Sequence, residues 1–211
     1  MEGTLEPRAA ALRDAIHRPL PGRDAHRRVL PEGMPPPVAP VGRDAVPSAV
    51  LLPLHRAGDR IAFPLIRRPV SMSRHAGQIG LPGGVLEPGE DFEGAALREC
   101  EEEIGVEAAS VRVLGRLTPV FIPVTGYRIH PVVGWVDREP AYRPAAGEVL
   151  EILIADPDRL AREGAGARVV RQRGGRTWRF PAYRVAGNPV WGATAQILAE
   201  FLVVWSASRN L

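Results

Sequence analysis

Four glutamates and an arginine stand at fixed spacing around a glycine-rich turn in residues 84–106. Gly84 is followed after five residues by Glu90. Seven residues further on come Arg98 and Glu99, the apolar Cys100, Glu101, and then Glu102, Glu103, Ile104, Gly105 and Val106. Pro88, Gly89 and Glu90 read as a turn, and a helix is expected to begin near Phe92 or Glu93. At about 100° per residue, Glu99 and Glu103 share one helical face and Glu102 lies on its flank. Carboxylates this close repel one another and destabilise a bare helix. A divalent cation among them removes that cost. Oxygen-only donors suit the hard ions Mg²⁺ or Mn²⁺ rather than zinc. Such an ion binds phosphate oxygens, neutralises developing charge and activates water. Leu97, Cys100 and Ile104 fall on the other face, suited to packing on a sheet. Gly105 falls where a helix C-cap glycine belongs. A solvated acidic helix face is the usual meaning of a glutamate-rich stretch. The turn, Arg98 and the glycines at matched spacing outweigh it here.

The same stretch resembles the Nudix box, G-x5-E-x7-R-E-U-x-E-E-x-G-U with U apolar, and it matches at every fixed position. The resemblance implies a metal-dependent hydrolase of nucleoside diphosphates linked to another moiety. It further implies an α/β/α sandwich around a mixed β-sheet, and Glu99, Glu102 and Glu103 as metal ligands. Glu90 and Arg98 would pair to hold the glycine loop against the helix, making Gly84, Glu90, Arg98 and Gly105 the structural members of the box. A bare surface ion pair would contribute only about 0–1 kcal/mol, so the orienting role is the weightier one. The catalytic candidates are Glu102, Glu103 and Glu148. Glu103 can position water from within the box. Glu148 is the alternative base, because loops opposite the box often supply a carboxylate in this family; an ordinary strand-edge glutamate is the competing reading for it.

Directly upstream, residues 65–84 resemble the coenzyme A pyrophosphatase subfamily. The matches are Leu65, Arg68, Gly77, Pro82, Gly83 and Gly84. The run His75, Ala76, Gly77, Gln78 and the segment 191–195, WGATA, look similar too. The likeness covers roughly residues 47–205. Ile66 departs from a threonine, Pro69 from serine or alanine, and Leu81 from phenylalanine. Ser73 stands where an arginine is expected, with Arg74 one place later. The resemblance implies hydrolysis of coenzyme A to 4′-phosphopantetheine and 3′,5′-ADP. Arginine clamps phosphates with paired donors, so Arg67, Arg68 and Arg74 are candidates for the substrate's phosphates, with His75 and Gln78 as further candidates. Successive strand residues face opposite ways, so Arg67 and Arg68 cannot both point inward from one strand. The alternatives are an ADP-ribose or dinucleotide pyrophosphatase and, from another class, a non-catalytic nucleotide-sensing module. The presence of all four box glutamates favours turnover over sensing.

The chain has 211 residues, 45% of them hydrophobic and 24% charged, in the ordinary range for a globular protein. No apolar run approaches the ~20 residues that span a bilayer. The first twenty residues carry acidic groups and no apolar core, unlike a secretory signal. A cytoplasmic enzyme is therefore the default reading, with no membrane partner. The single cysteine, Cys100, excludes an internal disulfide, and its place on the apolar helix face predicts a buried, inert thiol. The pI of 9.7 does not point to nucleic acid. The formal charge is only +3, every basic group is an arginine, and the arginines are scattered along the chain.

Two regions are expected: an N-terminal helix with a Pro-rich extension in residues 1–45, and the hydrolase domain in 46–211. The helix would span 5–16 and an extended connector 20–42. Residues 49–54 and 61–66 read as a hairpin. Strands follow at 111–120, 127–136 and 148–155, then a turn or helix at 156–162. A second hairpin, 168–172 with 177–185, turns at Gly174 and Gly175. A helix over 191–205 presents Ala195, Ile197, Leu198, Phe201, Leu202 and Trp205 on one face. Strands with few helices and no regular βα alternation predict the α+β class.

Overall fold

The computed structural model describes residues 6–37, 45–69 and 77–210. Helices α1 (Pro7–Ile16) and α2 (Gly22–Arg27) precede strands β1 (Val46–Ala57), β2 (Arg60–Arg67), β3 (Ile79–Gly80) and β4 (Gly83–Val85). Helix α3 (Phe92–Ile104) follows, then β5 (Val111–Arg116), β6 (Val120–Ile122), β7 (Tyr127–Val136) and β8 (Glu151–Ala155). The chain closes with α4 (Pro157–Glu163), β9 (Ala167–Arg173), β10 (Arg176–Val185), β11 (Asn188–Val190) and α5 (Gly192–Ala207).

The main sheet is mixed. Its order is β3-β2-β1-β7-β5, with β4 paired to β1, β6 to β7 and β8 to β2. Among the described strands only β1 and β7 run parallel, over ten residue pairs from Val46↔Tyr127 to His55↔Val136. This centre is buried on both faces, which explains the nearly continuous apolar run in β1. Period-two alternation divides that run between two cores. Ala49 and Leu51 face α3 with Ala95, Ala96, Cys100, Ile104 and Val132. Val50, Leu52 and Leu54 face the opposite layer with Leu12, Ile197, Leu198, Phe201 and Trp205. The result is the expected α/β/α sandwich of the α+β class. A smaller sheet, β9-β10-β11, carries the second hairpin; Gly174 and Gly175, at φ 57° and 73°, make the two-residue turn that such strands prefer.

Several element boundaries differ from the sequence reading. The expected strand over 111–120 is two strands, β5 and β6, because Thr118 and Pro119 leave the ladder. The strand expected from Glu148 starts only at Glu151, so Glu148 lies in a turn and not on a strand edge. The connector expected over 20–42 contains α2.

The N-terminal helices belong to the core. Ala9, Leu12, Ala15, Ile16 and Val29 are buried in the same cluster as α5. They are tied down by Glu200 of α5, a fully buried carboxylate that accepts four hydrogen bonds. Its donors are the Gly22 amide (3.0 Å), His26 Nε2 (3.2 Å), and the Thr118 amide (3.0 Å) and hydroxyl (2.6 Å). A buried carboxylate is tolerable only when its lone pairs are satisfied in this way. Arg8 adds a guanidinium 3.8 Å from the Trp205 ring centroid. Leu12→Ala should therefore destabilise the chain by about 2–5 kcal/mol in a urea titration. A loss below about 1 kcal/mol would show that α1 is dispensable to the core.

Candidate active site

The box helix forms where the sequence placed it. Asp91 caps its start, accepting from the Gly94 amide at 2.7 Å, and Gly105 ends it in the left-handed conformation at φ 72°. Cys100 is fully buried, and that burial pushes its thiol pKa well above the usual range, as expected of an inert core residue.

Two glycines bring β4 against this helix. Gly83, at φ 151°, lies so close to β1 that a Cβ would stand 2.3 Å from the Ala49 carbonyl oxygen. A Cβ on Gly84 would stand 2.3 Å from Glu99 Oε1. The space a side chain would fill at Gly84 is thus taken by the Glu99 carboxylate. The Gly83 amide donates to Glu103 Oε2 at 2.8 Å. Glu103 is 3% exposed. Arg68, at the end of β2, sends Nη2 to within 3.4 Å of Glu103 Oε1 and to the Gly83 carbonyl at 3.0 Å. Burial pushes the Glu103 carboxyl up to about 7, against the opposing pull of Arg68 and the Gly83 amide; Glu99 and Glu148 add a smaller upward push. Glu99 is also raised, mainly by burial and despite Arg98.

Arg98 is the hub of the arrangement. Its Nε and Nη2 donate to the two oxygens of Glu90 at 3.0 and 3.1 Å, the bidentate pair that locks the turn to the helix. Nη2 also reaches the Val85 carbonyl at 3.3 Å, and Nη1 donates to both Glu99 and Glu102 at 3.0 Å. The hydrogen bonds from Arg98 and from the Glu87 amide hold Glu90 below the usual carboxylate range. Among the described residues, no three His, Cys, Asp or Glu side chains converge into a single cluster. Glu99 and Glu102 turn to Arg98, and Glu103 turns to Gly83 and Arg68. Even so, the donor set suits a hard cation: three carboxylates within one helical turn, one of them in a glycine cradle and one buried beside a backbone amide.

The loop opposite the box is fastened to the end of α3. The Arg143 amide donates to the Ile104 carbonyl and the Ala145 amide to the Glu103 carbonyl, both at 2.9 Å. Leu150 donates to the Arg67 carbonyl at 2.8 Å. Tyr142 Oη lies 2.7 Å from Nε2 of the fully buried His55, whose Nδ1 lies 2.9 Å from the Arg56 carbonyl. These contacts bring the Glu148 turn toward Glu103. The sequence reading missed His55 and Tyr142, and at 87 positions apart no local pattern links them.

The arginine candidates separate: Arg67 ends β2 and Arg68 lies just beyond it. Arg68 turns inward to Glu103. Arg67 instead pairs with Glu151 of β8 at 2.9 Å. Gln78 is half-buried, and its carbonyl accepts from the Arg68 amide at 3.0 Å. Arg74 and His75 lie outside the described residues.

Comparison with known proteins agrees with this geometry. The NUDIX domain model matches residues 45–168, more than half of the chain. The chain is 35% identical to the uncharacterized Nudix hydrolase NudL of Escherichia coli O1:K1 / APEC, over 72% of this chain and 79% of the relative. With NudL of Shigella flexneri serotype 5b (strain 8401) the identity is 33%, covering 70% and 82%. The MutT protein of Methanosarcina mazei Go1 shares the fold, with a TM-score of 0.52 at 18% identity, over 78% of this chain and 96% of that one. The box residues, the mixed sheet that carries them and these matches establish that the chain belongs to the Nudix hydrolase family.

Proposed function

We propose that the chain hydrolyses the pyrophosphate bond of coenzyme A or its derivatives, giving 4′-phosphopantetheine and 3′,5′-ADP. The observation that carries this reading is Arg68. It is one of the matched subfamily positions, and it sits between the buried Glu103 carboxylate and the Gly83 carbonyl, on the strand edge that meets the box. A guanidinium there has donors to spare for a substrate phosphate.

Glu99, Glu102 and Glu103 would hold Mg²⁺ or Mn²⁺, which supplies charge neutralisation at the phosphates and a more acidic water. The Gly83 amide fixes the orientation of Glu103. Arg98 holds the Glu90 turn and shares its remaining donors with Glu99 and Glu102, so the helix face keeps its geometry while the ligand carboxylates are loaded. Arg68 orients the pyrophosphate. Glu103 or Glu148 accepts the proton of the attacking water as the P–O bond to the leaving phosphate breaks. The loop tied to Glu103 and Ile104 keeps Glu148 within reach of that face. Arg74 and His75 remain substrate candidates on the segment that follows Arg68.

Product analysis after incubation with coenzyme A, NADH or ADP-ribose, each with Mg²⁺ or Mn²⁺, tests the reading. Release of 3′,5′-ADP from coenzyme A as the fastest reaction supports it. Faster cleavage of ADP-ribose or NADH would replace it with a broader nucleotide pyrophosphatase. Glu99→Gln and Glu103→Gln should each lower kcat by roughly 10²–10⁴ with the fold retained, the scale of losing a main electrostatic or acid-base element. Near-normal turnover at saturating Mg²⁺ would falsify the ligand assignment. Glu148→Gln separates two roles. A fall in kcat at unchanged metal requirement marks the base, and a higher metal requirement marks a ligand. If neither changes, Glu103 is left as the water-positioning group.

A further inference from the structure

A second concave site lies beside β6 and the start of β7, against α2, α5 and residues 36–37 of the N-terminal segment. It encloses about 400 Å³, within the range of small-molecule sites. Arg23 and His26 of α2, with Pro36 and Pro37, form one wall. Thr118, Val120 and Phe121 at the β5–β6 connection, Arg128 and His130 of β7, and Gln196 of α5 form the others. Among the described residues, no aspartate or glutamate lines it.

The charge pattern is one-sided. Among the described residues neither Arg23 nor Arg128 has an ion-pair partner. His130 is half-buried and stacks on Phe92, with ring centroids 3.6 Å apart and planes 13° apart. Burial, and then the neighbouring Arg128 and Arg116, depress its pKa, so the surroundings already oppose another positive charge. Cations gathered in a concavity repel one another, and an anion relieves that repulsion. The walls are also fixed in place. Glu200, fully buried and not itself a lining residue, binds His26, Thr118 and Gly22 and so holds the wall. A preorganised wall lowers the ordering cost of binding. Residues 23–37 fall outside the matched family region.

We propose that this cavity binds a phosphate-bearing small molecule, with Arg23 and Arg128 as the phosphate clamp and Phe121, His130 and Gln196 as the surrounding wall. The phosphate has two possible sources: an outlying phosphate of the substrate, which rests on the function proposed above, or a separate nucleotide effector. In either case His130 connects the cavity to the box helix, because Phe92 is the first residue of α3.

Calorimetry on the full chain, with and without Mg²⁺, tests this using inorganic phosphate and 3′,5′-ADP as probes. Arg23→Ala combined with Arg128→Ala should weaken 3′,5′-ADP binding by roughly 10- to 100-fold, the scale of losing charged hydrogen bonds to phosphate. Both side chains are exposed, so the fold should be retained, and thermal unfolding checks this. Arg168→Ala with Arg179→Ala on the second hairpin removes the same charge elsewhere and should change binding little. If the site holds the substrate's own phosphate, the double variant raises KM for coenzyme A but not for 3′-dephospho-coenzyme A, and 3′,5′-ADP competes with substrate. If it holds an effector, substrate KM is unchanged and the response to added 3′,5′-ADP disappears. Equal binding by wild type and the Arg23/Arg128 variant, or no binding of either probe to wild type, overturns the proposal. Failure to hydrolyse coenzyme A would remove the proposed function but leave the calorimetric result to decide the cavity.

Discussion

The close approach of the Gly83–Gly84 backbone to α3 is the constraint on which the site depends. Without a Cβ at either position, β4 lies against β1 on one side and the Glu99 carboxylate on the other. That proximity buries Glu103 beside the Gly83 amide and puts Arg68 next to it. A buried, crowded acid helix is unfavourable by itself. It persists because Arg98 distributes its donors over Glu90, Glu99, Glu102 and the Val85 carbonyl, and because Arg68 faces Glu103. These arginines offset a repulsion that a bound cation would offset more completely.

The frame that bears this helix is deliberately unequal on its two faces. The α3 side is packed with small residues, Ala49, Ala95, Ala96 and Cys100, which let the helix lie close to the sheet and keep its acids near β4. The opposite side holds the bulky residues, Trp135, Phe63, Phe201 and Trp205, and carries most of the core. Destabilising chemistry is therefore concentrated on one layer and supported by burial in the other. The N-terminal helices extend that supporting layer, and Glu200 is the polar pin that holds them.

Loops complete what the helix begins. Backbone hydrogen bonds from Arg143 and Ala145 satisfy the carbonyls at the end of α3 and, in the same contacts, carry the Glu148 turn toward the acidic face. The Tyr142–His55 hydrogen bond anchors that loop to the central strand β1. Because His55 is fully buried, its second nitrogen needs a partner, and the loop supplies one.

The box was legible from the sequence because its logic is local. Helix periodicity, a capping glycine and i, i+4 spacing fix which carboxylates share a face, whatever surrounds them. The α+β class and the second hairpin were legible for the same reason: alternation and the Gly174–Gly175 turn are short-range signals. Strand alternation predicted that Arg67 and Arg68 part ways if both lie in one strand; in the fold β2 ends at Arg67, and β8 places Glu151 beside it. The sequence alone could not show that Glu103 is buried, that Glu148 sits in a turn, or that residues 7–29 enter the core. Each depends on contacts between segments far apart in the chain. Arginines that look scattered along it are likewise assembled only by folding, as Arg23 and Arg128 are around one cavity. Local geometry is written in residue spacing, whereas burial and the meeting of distant charges exist only once the layers have closed on one another.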